Sequence, residues 1–183
     1  MRVTLMTDAS VCHETEIGAY GFWVVSNRSK NYGSGVFVEK TNDSNMGEIR
    51  AVIYSLATAI NQGHIQFGDN VLIQADNTTT LQTLGKWAKP ITKHKIKNGT
   101  LVFEETEKVP FCDRPEVVAA VTTFDKLKEV YSLSIEFRHV KGHSSSKNMR
   151  NISNNLCDMR AKQALREARD TFKRQQQIAK DWS

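Results

Sequence analysis

Cysteine is scarce in this chain of 183 residues, and long apolar runs are missing altogether. Cys12, Cys112 and Cys157 are odd in number, widely spaced and form no CxxC pair. That pattern excludes a disulfide framework and a zinc site as first readings, and it favours a reducing compartment. No apolar stretch approaches the roughly 18 residues of a membrane span. The opening MRVTLMTDAS meets an acid at position 8, too early for the apolar part of a secretory leader. A protein without membrane attachment is expected, in the cytoplasm of a bacterium or of a virus-infected host. Neither sign of charge dominates: 25 Lys+Arg against 20 Asp+Glu leave a net +5, a mild bias toward anionic partners. With 39% hydrophobic and 25% charged residues, the composition suits one globular domain over 1–183, expected to be a monomer.

Residues 2–7 read as a short strand stopping at Asp8. Residues 18–26 and 33–39 read as the next two strands of an antiparallel meander, turned at 27–31. The segment 41–45 has helix-start chemistry, and Ile49, Val52, Ile53, Leu56 and Ile60 make one helical stripe that ends at 61–63. Residues 71–75 form an apolar strand that also stops at an acid, Asp76. Asn77 then caps a short helix holding Leu81 and Leu84. Val117, Val121, Phe124 and Tyr131 mark a further helix and 134–140 a last strand. Cys157, Ala161, Leu165, Ala168 and Phe172 mark one face of a final helix. Residues 86–97 carry five lysines and no acid. The segment 98–115 reads as an irregular insert, and 173–183 as a polar tail that frays. This order implies an α/β fold whose mixed five-stranded sheet has three antiparallel meander strands plus two parallel ones, with helices on both faces.

Two strands thus end in Asp8 and Asp76, at the edge where open α/β sheets bind ligands. Glu48 opens the first long helix beside its apolar stripe, and Asp158 lies between Cys157 and Ala161 in the last one. Each acid alone has a plainer reading. Asp8 and Asp76 could be turn residues, Glu48 a first-turn acid, and Asp158 a partner of Arg160 or Lys162. Four carboxylates beside buried faces are costly unless cations neutralise them, and hard divalent ions prefer carboxylate oxygens.

These pieces resemble the type 1 ribonuclease H family, which cuts the RNA strand of RNA/DNA hybrids. The matching segments are Thr7-Asp8-Ala9-Ser10, Asn45-Met46-Gly47-Glu48, Ala75-Asp76, His139-Val140-Lys141-Gly142-His143 and Asn154-Asn155-Leu156-Cys157-Asp158-Met159-Arg160-Ala161, over roughly 2–168. The resemblance implies a ribonuclease H-like fold. It also implies a catalytic set of Asp8, Glu48, Asp76 and Asp158 holding two Mg²⁺ ions (or Mn²⁺), with His143 assisting proton transfer or product departure. The basic stretch resembles the family's substrate-binding protrusion: Lys86, Lys89, Lys93 and Lys95 would track phosphates and Trp87 would pack on a sugar or base. Ser10, Ser44, Asn45, Thr78 and Asn154 fall where contacts to 2′-hydroxyls of the hybrid would lie. The chain departs from the family pattern at Ala9, where glycine is usual, at Ser44-Asn45-Met46-Gly47, and in a longer loop after His143. Two rival readings are another nuclease on the same architecture, resolvase-like or transposase-like, and a non-catalytic nucleic-acid-binding module.

Overall fold

The computed structural model describes residues 1–85, 94–97, 100–103, 111–141 and 149–182, with backbone alone at 94–97, 100–103 and 149–150. Strands β1 (Arg2–Cys12), β2 (Ile17–Val25) and β3 (Lys30–Val36) are followed by helix α1 (Ser44–Asn61), β4 (Asn70–Ala75) and α2 (Thr78–Leu84). Then come β5 (His94–Lys97), β6 (Thr100–Phe103), α3 (Pro115–Val130), β7 (Ser134–His139) and α4 (Met149–Asp181). Five strands form one sheet in the order β3-β2-β1-β4-β7. The β1–β2 and β2–β3 pairs are antiparallel, while β1–β4 and β4–β7 are parallel. This is the expected mixed sheet.

Period-2 alternation sorts the sheet's side chains between two helical layers. Val3, Leu5, Phe22, Val24, Val71 and Ile73 pack on one face with the α1 stripe and with Val117 and Phe124 of α3. On the other face Met6 and Trp23 meet Val140 and Cys157 of α4. The buried Cys157 thiol donates to the Met6 carbonyl at 3.5 Å, fixing where α4 crosses the sheet. All three cysteines are free. Helix α1 starts where Asp43 accepts from the Met46 N–H at 3.0 Å, and Gly63 supplies the left-handed φ of +74° just beyond its end.

Four expectations are corrected. Strand β1 does not stop at Asp8: its parallel partner β4 pairs only as far as Met6 opposite Gln74, while β2 pairs on from Asp8 opposite Gly21 to Cys12 opposite Ile17. The meander turns earlier than 27–31 because Ser26 Oγ accepts from the N–H groups of Arg28 and Ser29, so the third strand starts at Lys30. Within the segment read as irregular, Thr100–Phe103 pairs antiparallel with β5, and Pro115 opens α3 at the position where a missing N–H costs nothing. The polar tail is helical through Asp181. Its Lys, Arg, Gln and Ala residues are good helix formers, and Gln177 Nε2 donates to Asp181 one turn on at 2.8 Å. Phe172, placed on the buried side of that helix by its spacing, is 37% exposed because it lies near the end of the sheet α4 covers.

Gly21 is where α4 comes closest. A Cβ there would sit 2.1 Å from the Cys157 carbonyl oxygen and 2.8 Å from the Ala161 nitrogen, both backbone atoms. Gly21→Ala is therefore expected to destabilise the fold by about 1–3 kcal/mol, the usual cost of overpacking. Thermal denaturation checks this, and a melting temperature equal to wild type would mean α4 is free to move away.

Candidate metal centre

Where β1 loses its parallel neighbour, Asp8 projects on the α4 side of the sheet with the parity of Met6. Asp76 follows the last residue of β4, one strand over. Glu48 reaches the same point from the first turns of α1, one residue ahead of the buried Ile49. Carboxylate oxygens of Asp8, Glu48 and Asp76 all lie within 4.8 Å of one another. Two strands and one helix thus deliver three acids to one spot.

Neighbouring polar contacts hold the geometry. The Ala9 N–H donates to Asp8 Oδ1 at 2.8 Å. Asn77 caps α2 by accepting from the Thr80 N–H at 2.9 Å, and its Nδ2 donates to Asn45 Oδ1 at 3.0 Å. That pair ties the start of α1 to the residue after Asp76. His139 Nε2, at the end of β7, lies 3.0 Å from the Asp76 carbonyl oxygen and fixes the backbone there. Sequence reasoning placed His139 only as a strand residue, because a bond to a main-chain carbonyl leaves no side-chain pattern to read.

The electrostatics are unfavourable as they stand. Burial, then the charges of Asp76 and Asp158, push the Asp8 carboxyl up to about 7, with the Ala9 N–H opposing. Burial, then Asp8 and Asp76, raise Glu48 well above the usual carboxylate range. Glu48 Oε2 is buried without a hydrogen-bond partner. The opposite end of β4 offers a comparison. Buried Asp69 accepts from the Gln66 N–H and the Met1 ammonium, each at 2.9 Å, and pairs with Arg28. Burial opposes ionisation there too, but those donors hold its carboxyl below the ordinary range. Among the described residues no cation pairs directly with Asp8, Glu48 or Asp76, and Lys162 acts on Asp8 only from its place on Asp158. An all-oxygen donor set with a sheltered, unpaired oxygen fits a hard divalent ion.

Asp158 stands apart from the three. Its Oδ2 accepts from Lys162 Nζ at 2.8 Å, one turn along α4, the partnership that the sequence left open beside Arg160. Its charge still reaches Asp8. The other candidates are dispersed around the centre. Ser44 and Thr78 are exposed, Ser10 and Asn45 half-buried, and Asn154 is buried with its Oδ1 unpaired, so it is not presented to solvent. Lys86, Trp87, Lys89, Lys93 and His143 lie outside the described residues, as does the side chain of Lys95. Gly21, which lets α4 approach beside Asp8, is the neighbour that sequence reasoning did not single out.

The RNase H family model matches residues 1–166. No curated protein matches the sequence. Among solved structures, RNase H1 of the archaeon Halobacterium salinarum is 18% identical, with 91% of this chain and 99% of that chain covered at a TM-score of 0.60. The N-terminal RNase H domain of a Mycobacterium tuberculosis protein is 15% identical, covering 90% and 99% at 0.58. A metagenomic RNase H1 from compost, solved with an RNA/DNA hybrid, is 14% identical, covering 89% and 99% at 0.55.

The raised carboxyls make stability depend on pH with a definite sign. Folded Asp8 keeps its proton to about 7, whereas in the unfolded chain it releases it near 3.8. Its contribution is fully present below the lower value and is lost as pH rises through the upper one. Without divalent ions, wild type is expected to lose several degrees of melting temperature relative to Asp8→Asn between about pH 5 and pH 8. Mg²⁺ should recover that loss at the higher pH in wild type only. A constant gap between the two proteins, with or without Mg²⁺, would show that these carboxylates are not crowded.

Proposed function

The chain belongs to the RNase H family, and from that premise we propose that it is a metal-dependent endoribonuclease hydrolysing the RNA strand of RNA/DNA hybrids. The observation that carries this reading is the convergence of three carboxylates, Asp8 and Glu48 desolvated and none of the three in an ion pair among the described residues, at the carboxyl edge of the parallel strands. Bound there, two Mg²⁺ ions would activate a water and stabilise the departing oxygen of the phosphodiester, leaving 3′-hydroxyl and 5′-phosphate ends. Asp8 would serve both, with Glu48 and Asp76 holding one. Asp158 would hold the other after leaving Lys162, a 2.8 Å partner on the same helix.

The remaining roles belong to binding and proton handling. His143 would carry a proton to the leaving group or speed product departure. Lys86, Lys89, Lys93 and Lys95 would grip phosphates, and Trp87 would pack on a sugar or base. Exposed Ser44 and Thr78, with half-buried Ser10 and Asn45, suit contacts to 2′-hydroxyls, the feature that separates RNA from DNA. Asn154 would add a further such contact through its Oδ1, which is buried without a hydrogen-bond partner. No helix among the described residues is long and apolar enough to cross a membrane.

Cleavage of an end-labelled hybrid with and without Mg²⁺ or Mn²⁺, beside duplex DNA, a four-way junction and single strands, tests the reading. Asp8→Asn and Asp76→Asn are each expected to abolish hybrid cleavage while keeping the fold and hybrid binding. Normal turnover in either variant, or a preference for junctions, would refute it. Alanine at Lys89, Lys93 and Lys95 together should mainly raise KM and flatten the salt dependence. An unchanged slope would reduce that segment to ordinary surface.

A further inference from the structure

Helix α4 advances along the sheet in the same sense as β1. The Cys157 thiol bonds the Met6 carbonyl, Cys157 and Ala161 pass over Gly21 opposite Asp8, and Arg169 acts on Cys12, the last residue of β1. The residues beyond Arg169 therefore carry the helix past the strand end nearest the carboxylates, by about 18 Å at 1.5 Å per residue. The family match ends at 166, whereas α4 continues to Asp181.

Charge on this extension is sorted by face. With Asp158 as the origin and 3.6 residues per turn, Lys162, Arg166, Arg169, Lys173 and Lys180 all fall within about 20–80°. The acids Glu167, Asp170 and Asp181 fall about 120–180° away, beside Arg174. Glu167 and Asp181 accept from the amides of Gln163 and Gln177 at 3.0 and 2.8 Å, within their own side of the helix. Lys162 is held by Asp158, but Arg166, Arg169 and Lys173 form no ion pair among the described residues. A solvated helix without a partner would gain from pairing opposite charges one turn apart. Arg166–Asp170 and Asp170–Arg174 have that spacing, yet neither forms an ion pair among the described residues, while Lys162, Arg166, Arg169, Lys173 and Lys180 stack at like-charge spacing in line with Asp158.

We infer that this stripe is a second contact surface for the nucleic-acid duplex, gripping its phosphate backbone beyond the point of cleavage. The inference rests on the nucleic-acid reading above but not on cleavage itself. From Arg166 to Lys180 the stripe spans about 21 Å. At about 3.4 Å per phosphate along one strand, that is about six phosphates.

The test is binding of fluorescent RNA/DNA hybrids of two lengths, one just covering the carboxylate centre and one about 24 base pairs, to the full chain in EDTA. The triple variant Arg166→Gln, Arg169→Gln, Lys173→Gln is expected to bind the long hybrid about tenfold more weakly, with a salt slope lower by about 2–3. Binding of the short hybrid should match wild type, as should helix content and kcat at saturation. In the triple background, Gln176→Lys, at the edge of the stripe in line with Asp158, should recover part of the affinity, and Gln175→Lys, about 100° away from it, should not. Equal losses on both lengths, no loss at all, or equal recovery by the two lysines would overturn the inference. A wild-type protein that cleaves neither hybrid in Mg²⁺ would sink the proposed activity instead, and the binding comparison would still decide the stripe.

Discussion

Everything in this molecule is arranged around an unfavourable contact: three carboxylates within 4.8 Å of one another, with Asp8 and Glu48 sheltered from water. Like charges at that range in a sheltered place repel strongly, and burial adds to the cost. Left to itself the group would separate or take up protons. Separation is opposed because each acid is anchored by an element whose position is set elsewhere. Asp8 is fixed by its ladder to β2, Asp76 by the end of β4 and the His139 contact, and Glu48 by the buried stripe of α1. The two aliphatic layers therefore supply the work that keeps the acids together, and the site inherits its rigidity from them.

The chain handles its acids in three distinct ways, and the differences carry the functional meaning. Asp69 is buried and fully satisfied by donors from the chain itself, so it serves the fold. Asp8 has one main-chain donor, the Ala9 N–H, and Glu48 Oε2 is sheltered with none. None of Asp8, Glu48 and Asp76 has an ion-pair partner among the described residues, so the group is suited to a cation from outside. Asp158 is intermediate: it has a lysine of its own, yet its charge is felt at Asp8. That lysine is attached by a flexible stem on a half-open surface, where an ion pair is worth little and is readily exchanged. Gly21 makes the arrangement possible, since any side chain there would lift α4, and Asp158 with it, off the sheet.

Much of this was legible in the residues. The Ile49–Ile60 stripe, the Asn77 cap and the alternation of the meander strands are local signals, and each was realised. Asp8 was singled out for a reason that proved wrong, since β1 continues through it; what ends there is β4, a non-local fact. Gly21 carried no signal, because a close approach is visible only once it is known which helix crosses which strand. Residues 173–181 were read by polarity when propensity was the better guide: nothing in Lys-Arg-Gln-Gln-Gln-Ile-Ala-Lys breaks a helix.

The same helix resolves a difficulty that any acidic site for a polyanion must face. Carboxylates repel phosphates unless cations intervene, and ions at the centre act only over a short range, since salt screens charge over about 8–10 Å. At 1.5 Å per residue, Arg166 stands about 12 Å from Asp158 and Lys173 about 22 Å. Cations that distant neither neutralise the carboxylates nor are neutralised by them. Their charge remains available for a partner lying alongside. The net +5 of the chain is thus not spread evenly: the α4 stripe collects part of the positive charge away from the site, where, on the proposed reading, it would attract a strand without competing for ions held by the three acids.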